Sequence, residues 1–323
     1  MRTLVTGGAG YIGSVIAQHL LARGHAVTVY DDLSRGHAAA VPASAVLVTG
    51  DIRDAGAVRA ALVESGAEAI VHMAALAEVA ESVAFPERYH AVNVEGTAAV
   101  AAAARDAGVR RLVFSSTAAV YGDPDRSPIE EDDRLDPTSP YGETKLAGER
   151  LLAAESKAGA LDVVVLRYFN ACGADGEFGE DHDPETHLVP LALRAADEGV
   201  ALQVYGDDYP TADGTCVRDY VHVADLADAH VAALEGLPGT SGTFNLGTGS
   251  GDSVLTVLAA VEEVSGRRLR RVAAPRRPGD PPALVASNGR ALATLGWRPR
   301  RSLSDAVRDA WAWMQTHPGG YAD

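Results

Sequence analysis

Ser139-Pro-Tyr-Gly-Glu-Thr-Lys145 is the stretch best suited to proton chemistry: Pro140 marks a helix start, and Tyr141 and Lys145 stand at i and i+4 on one helical face. A phenol with its ordinary pKa near ~10 is a poor base at neutral pH, but an ammonium beside it favours the phenolate. An exposed Tyr/Lys pair is the competing reading. Phe114-Ser-Ser-Thr-Ala-Ala-Val-Tyr121 gathers three hydroxyls at the end of an apolar run. One of them can face a substrate, or all three can serve turns and caps. Thr6-Gly-Gly-Ala-Gly-Tyr-Ile-Gly13 joins a first apolar run to a helical pattern opening near Tyr11. Gly7, Gly10 and Gly13, three apart, lack the Cβ that would block a tight turn, an approaching pyrophosphate or close helix packing. The unpaired amides of a helix start then face the phosphates of a dinucleotide. Glycines also occur in such turns for conformational reasons alone, but the second apolar run, Ala26-Val-Thr-Val-Tyr30, ends in Asp31, at the distance of an acid that grips a ribose.

These residues need a scaffold that brings strand ends together. Strand-like runs near 2–6, 26–30, 45–49, 69–73, 110–115 and 162–167 alternate with helical patterns and are nearly continuous in Val, Ile, Leu and Phe. That pattern predicts an α/β fold with a doubly wound parallel sheet, whose ligands lie outside the carboxyl ends of its strands. Asp31 accepts a ribose 2′-OH and repels a 2′-phosphate, favouring NAD over NADP, with nearby Arg35 as the counter-argument. After the third strand, Gly50-Asp51-Ile52 offers a carboxylate for the adenine amino group or a cap for a helix at 54–64. His72 reads as a packed residue. The helix following Pro86 runs through Ala98–Ala104, where small side chains permit close contact. Beyond about residue 176 the alternation becomes irregular, with long loops near 176–186 and 205–219. The expected division is therefore a dinucleotide-binding domain over 1–175 and a smaller ligand-binding lobe over 176–323, with Thr243–Leu246 returning to the main sheet.

With 323 residues, 47% of them hydrophobic, the chain can bury a large core. Its 28 basic and 44 acidic residues give a formal charge of -16, which disfavours nucleic acid and anionic membranes. No apolar run reaches the roughly 20 residues of a membrane span. Cys172 and Cys216 lack metal-ligand spacing, no metal-binding cluster stands out, and the first strand begins at residue 2. The expected setting is the cytoplasm, without a metal.

The chain resembles the extended short-chain dehydrogenase/reductases, and among them the UDP-glucose (UDP-galactose) 4-epimerase family. The resemblance spans the whole sequence and rests on TGGAGYIG (Thr6–Gly13), GDIRD (Gly50–Asp54), FSSTAAVYG (Phe114–Gly122), SPYGETK (Ser139–Lys145), LRYFNACGA (Leu166–Ala174) and GDDYPTADGTCVRDYVHVADLADAH (Gly206–His230). It implies Tyr141 as base, Lys145 as its electrostatic partner and ribose contact, and Thr117 as the hydroxyl beside the sugar O4. Gly7, Gly10, Tyr11, Ile12, Gly13, Asp31, Asp51 and Ile52 match the NAD site. Asn170 matches a diphosphate contact, Arg218, Arg277 and Asp280 match residues around the diphosphate and uridine, and Tyr205 with His187–Leu188 matches the uracil pocket.

The implied reaction is redox-neutral: Tyr141 removes the O4 proton, hydride leaves C4 for NAD, and the 4-keto sugar turns before hydride returns to its other face. A sugar-nucleotide 4,6-dehydratase is the nearest alternative, but similar dehydratases carry an Asp-Glu pair where this chain has Ala118-Ala119. A catalytically silent NAD sensor is the alternative from another class. Ala77 stands where relatives often have a lysine that reaches the cofactor. Leu284 falls at a gate filled by tyrosine in relatives restricted to plain hexoses, which implies added activity on N-acetylated UDP-hexoses. A homodimer through the helices near 86–106 and 141–157 is also implied.

Overall fold

The computed structural model describes residues 1–277 and 279–322. In chain order its strands are β1 (Arg2–Thr6), β2 (Ala26–Asp31), β3 (Val46–Thr49), β4 (Ala69–His72), β5 (Arg111–Thr117), β6 (Asp162–Tyr168) and β7 (Asn170–Cys172). There follow β8 (Ala201–Tyr205), β9 (Val217–Arg218), β10 (Tyr220–His222), β11 (Gly242–Leu246), β12 (Asp252–Ser253), β13 (Arg270–Ala274) and β14 (Ala283–Leu284). The main sheet runs β11-β6-β5-β4-β1-β2-β3, and each neighbouring pair is parallel. The strand order reverses between β1 and β4, so all seven carboxyl ends share one edge with its crevice at that reversal.

Both faces of the sheet are covered, which explains the unbroken apolar strands. Leu4, Ile70, Leu112 and Phe114 point to the side closed by the Ala55–Ser65 and Gly96–Ala107 helices. Their neighbours Val5, Val71 and Val113 point to the side closed by the Tyr11–Ala22 and Val223–Gly236 helices. Burying each such side chain contributes roughly 1.5–3 kcal/mol. The run after Pro86 is helical, but its hydrogen bonding changes: a π-helical turn spans His90–Glu95 ahead of the Gly96–Ala107 helix. Within that turn the Asn93 amide bonds both backbone groups of Leu76 and the Thr144 hydroxyl. This ties the segment after β4 to the helix that carries Tyr141.

A second core forms where the Leu188–Glu198, Val254–Ser265 and Leu303–Thr316 helices bury Val189, Leu193, Leu258, Val261 and Val307. Within 176–323, β11 joins the main sheet beside β6, where the sequence places Thr243–Leu246, and the Val223–Gly236 helix packs on the same layer. Among the described residues, three small sheets, β10-β7, β12-β9-β14 and β13-β8, lie outside the main one. Asp219 joins two of them: its fully buried carboxylate accepts from the amides of Thr248, Gly249 and Ala286. These bonds fix the 247–249 turn and β14 against β9 and β10.

Candidate active site

Ser139 caps the Pro140–Lys157 helix by accepting from the Gly142 amide at 3.2 Å, and Pro140 supplies the first turn. Tyr141 and Lys145 therefore project one turn apart beside the carboxyl end of β5. There Ser116 turns inward onto Glu149, while Thr117 ends the strand and caps the short helix Ala118–Tyr121 through the Ala119 amide at 3.1 Å. Burial pushes the Tyr141 phenol up to about 12; hydrogen bonding from Thr117 lowers it and the Glu78 carboxylate raises it. Glu78 has no counterpart in the sequence reading, since a lone glutamate in a loop carries no spacing signal.

The Lys145 ammonium donates to the Ser115 carbonyl oxygen at 2.9 Å and sits 5.1 Å from the centre of the Phe114 ring. Burial lowers its pKa to about 8, with Glu149 pulling upward. Burial, Thr117 and Glu78 act on the Tyr141 phenol, and the Ser115 carbonyl at the end of β5 fixes the ammonium one helical turn from it.

The glycine turn lies at the carboxyl end of β1. Gly7 adopts a left-handed φ of 69°, and a Cβ there would lie 2.5 Å from the Ala74 amide nitrogen. A Cβ on Gly13 would come within 2.1 Å of the Gly7 carbonyl oxygen. The helix opens at Tyr11 with Gly10 as its N-cap, so the first-turn amides of Tyr11, Ile12 and Gly13 have no acceptor within the helix. Asp31, 7% exposed, accepts from the amides of Ala9 at 3.0 Å and Leu33 at 2.9 Å, and burial raises its pKa. These bonds aim its carboxylate and leave lone pairs for ribose hydroxyls. The cradle fits a dinucleotide.

Arg35 is already engaged by Glu81 at 2.8 Å and the Asp183 carbonyl at 2.9 Å, which weakens the case for a 2′-phosphate. The helix-cap reading of Asp51 is overturned: Asp54 caps the Ala55–Ser65 helix through the Ala57 amide, while Asp51 pairs with Arg53 and keeps an exposed face. Ile52 packs into the core beside Gly96. His72 is buried between the hydroxyls of Thr6 and Thr97, and burial drops its pKa to about 3, as suits a packed neutral ring. Ala77 is exposed.

Beyond the sheet, Asn170 opens β7 and its side chain makes no hydrogen bond among the described residues. Arg218 lies on β9 beside Leu284 of β14. Its Nη1 donates to the carbonyls of Val217 and Pro281 and its Nη2 to Asp280 at 2.7 Å, leaving Nε and one Nη2 hydrogen for a phosphate oxygen. The Arg277 guanidinium carbon lies 4.2 Å from the centre of the Tyr205 ring, at the end of β8. Leu284 packs at the edge of a cluster containing Phe169, Ala286 and Ala118, the last directly following Thr117. Leu188 starts the helix whose N-cap is His187. The reading without a metal cluster missed the partners of His187: it stands with Glu180, His182 and Glu185, in a Glu-x-His-x-x-Glu-x-His spacing that could have flagged them.

The model of the NAD dependent epimerase/dehydratase family matches residues 3–247. A UDP-glucose 4-epimerase of Streptomyces lividans is 50% identical, covering 100% of this chain and 98% of the relative. The crystal structure of UDP-glucose 4-epimerase from Brucella ovis in complex with NAD superimposes with a TM-score of 0.93 at 45% identity, covering 96% of this chain and 97% of that one. The enzyme from Bifidobacterium longum in complex with NAD+ and UDP gives 0.93 at 35% identity, covering 99% and 100%.

Proposed function

This chain belongs to the NAD dependent epimerase/dehydratase family, and from that premise we infer that it reversibly inverts C4 of UDP-glucose and UDP-galactose with NAD as hydride carrier. It is an isomerase. The observation that carries the reading is the meeting of the glycine cradle after β1, Asp31 of β2, Thr117 of β5 and Tyr141 of the Pro140–Lys157 helix along one edge of a parallel sheet.

In the proposed mechanism Tyr141 accepts the proton of the sugar O4, and the Thr117 hydroxyl holds that oxygen. Lys145, fixed by the Ser115 carbonyl, holds a ribose hydroxyl and supplies positive charge. Bound NAD supplies the acceptor and donor of the C4 hydride. Arg218, Asp280, Asn170 and Arg277 hold the diphosphate and uridine while the keto sugar turns; guanidinium donors offset the repulsion between an acidic chain and an anionic ligand. Tyr205, His187 and Leu188 border the uracil. Tyr11, Ile12, Asp51 and Ile52 complete the cofactor contacts. Ala118 and Ala119 cannot transfer protons, so elimination to a 4-keto-6-deoxy sugar has no acid–base pair. Incubation with UDP-galactose and NAD, followed by NMR, should yield UDP-glucose; accumulation of a 4-keto-6-deoxy product would contradict the reading.

Substrate breadth depends on Leu284. A leucine in this cluster leaves more room beside the sugar than a tyrosine, and such permissive space discriminates by only ~1–3 kcal/mol. N-acetylated UDP-hexoses should therefore be converted more slowly than plain ones. Leu284→Tyr should suppress the N-acetylated pair selectively in paired kcat/KM measurements, and equal loss on both pairs would remove Leu284 from the gate.

The assembly proposed is a homodimer in the cytoplasm. Val79, Val83 and Phe85 are exposed at 48%, 66% and 55% on the segment leading into the implied interface helices, and both cysteines are free thiols. Among the described residues no helix is long and apolar enough to cross a membrane. Sedimentation should give a dimer at assay concentration; a persistent monomer would refute it.

A further inference from the structure

The loop between β7 and the Leu188–Glu198 helix gathers Glu180, His182, Glu185 and His187, and one ligand atom from each lies within 4.8 Å of the others. Nδ1 of His187 is 2.8 Å from Glu180 Oε1 and 3.0 Å from Glu185 Oε1. Nδ1 of His182 is 3.2 Å from the same Glu180 oxygen but is not aligned to bond it. Among the described residues, His182 Nδ1 and Glu185 Oε2 are shielded from solvent and find no hydrogen-bond partner. The Glu185 side chain is 1% exposed, and a buried polar atom without a partner is costly. Its other oxygen is spoken for by the amides of Thr186 and His187, each at 2.7 Å. This orients the carboxylate and leaves Oε2 in want of a cation or donor.

We propose that these four side chains form a binding site for a divalent transition-metal ion of the zinc class. Two imidazole nitrogens and two carboxylate oxygens suit zinc better than calcium or magnesium, which prefer shells of oxygen. Four-coordinate zinc with bonds near ~2.0–2.2 Å sets its ligand atoms roughly 3.3–3.6 Å apart. The closest contacts already approach that spacing, and side-chain rotation can close the widest one. Imidazolium–carboxylate pairing within the cluster is the competing arrangement.

The position gives the ion a use. On one side the His182 ring meets the edge of Tyr11, the residue that opens the glycine-turn helix, at 6.2 Å. On the other, His187 leads into Leu188. The same loop reaches Glu78 through Thr186 at 2.7 Å and Arg35 through the Asp183 carbonyl at 2.9 Å. An ion here braces the loop between the cofactor cradle and the far helix without touching the reacting atoms.

The test is a zinc titration of the full chain, NAD-saturated and previously stripped with chelator, by calorimetry with metal analysis after gel filtration. One equivalent per chain should bind with submicromolar affinity and raise the Tm. His182→Gln and Glu185→Gln should each weaken binding by at least the roughly 10–100-fold that loss of a partner behind a ligand costs. Cobalt(II) in the wild-type protein should give the intense visible absorption of a four-coordinate site, which decides the matter if either variant fails to fold. No retained zinc, zinc retained undiminished in both variants, or the weak spectrum of octahedral aqueous cobalt overturns the site in favour of imidazolium–carboxylate pairing.

Discussion

Tyr141→Phe is expected to lower kcat by about 10²–10⁴-fold, the contribution of a positioned general base, while stability changes by no more than about 0.5 kcal/mol. The two effects separate because the phenol oxygen is not needed by the fold. Its interaction is with Thr117, which is only half-buried at the end of β5, so removing the phenol oxygen leaves the Thr117 O–H within reach of water and strands no buried group. Steady-state kinetics alongside thermal melts checks both halves, and near-normal turnover would remove Tyr141 from the role of base. The pH dependence carries the same claim further. A phenol held at about 12 by burial and Glu78 is protonated at neutral pH, so kcat/KM should rise with pH until the phenolate predominates. Glu78→Gln removes a charge that opposes the phenolate and should shift this limb to lower pH. Thr117→Val removes a stabilising hydrogen bond and should shift it to higher pH.

Gly13→Ala should abolish measurable NAD binding at concentrations that saturate the parent protein. The added Cβ would stand 2.1 Å from the Gly7 carbonyl oxygen and 2.9 Å from the Gly8 Cα. Both are backbone atoms, so no rotamer change relieves the clash, and the turn must open away from the helix start. Opening moves the first-turn amides from their shared focus, and those amides are what an anionic diphosphate binds. Overpacking of this kind also costs about 1–3 kcal/mol of stability. Calorimetric titration with NAD, read beside far-UV dichroism to confirm folding, distinguishes the two losses. A folded variant with undiminished affinity would show that the diphosphate lies elsewhere.

What could be read in advance follows from how local each signal is. The six strands from Arg2 to Tyr168 were legible because helices cover both sheet faces, so each strand is an apolar run. Tyr141 and Lys145 were legible because their spacing is helical, but the contact Lys145 makes is not: its partner is a main-chain carbonyl on β5, thirty residues away in sequence. Asp54 rather than Asp51 caps the following helix because the chain first makes a turn at Asp51–Asp54. Asp219, which organises three backbone amides from distant segments, carries no pattern of its own. Glu180, His182, Glu185 and His187 lie within eight residues, yet their convergence depends on how the loop folds back against Tyr11.

The most direct test of the central claim follows the hydrogen on C4. UDP-galactose carrying deuterium at that carbon, converted in ordinary water with bound NAD, should give UDP-glucose with the deuterium retained at C4, because hydride leaves and returns to the same carbon within one site. NMR of the product reads this at a single position. Replacement of the deuterium by solvent hydrogen would contradict the hydride mechanism and, with it, the roles proposed for Tyr141 and the NAD cradle.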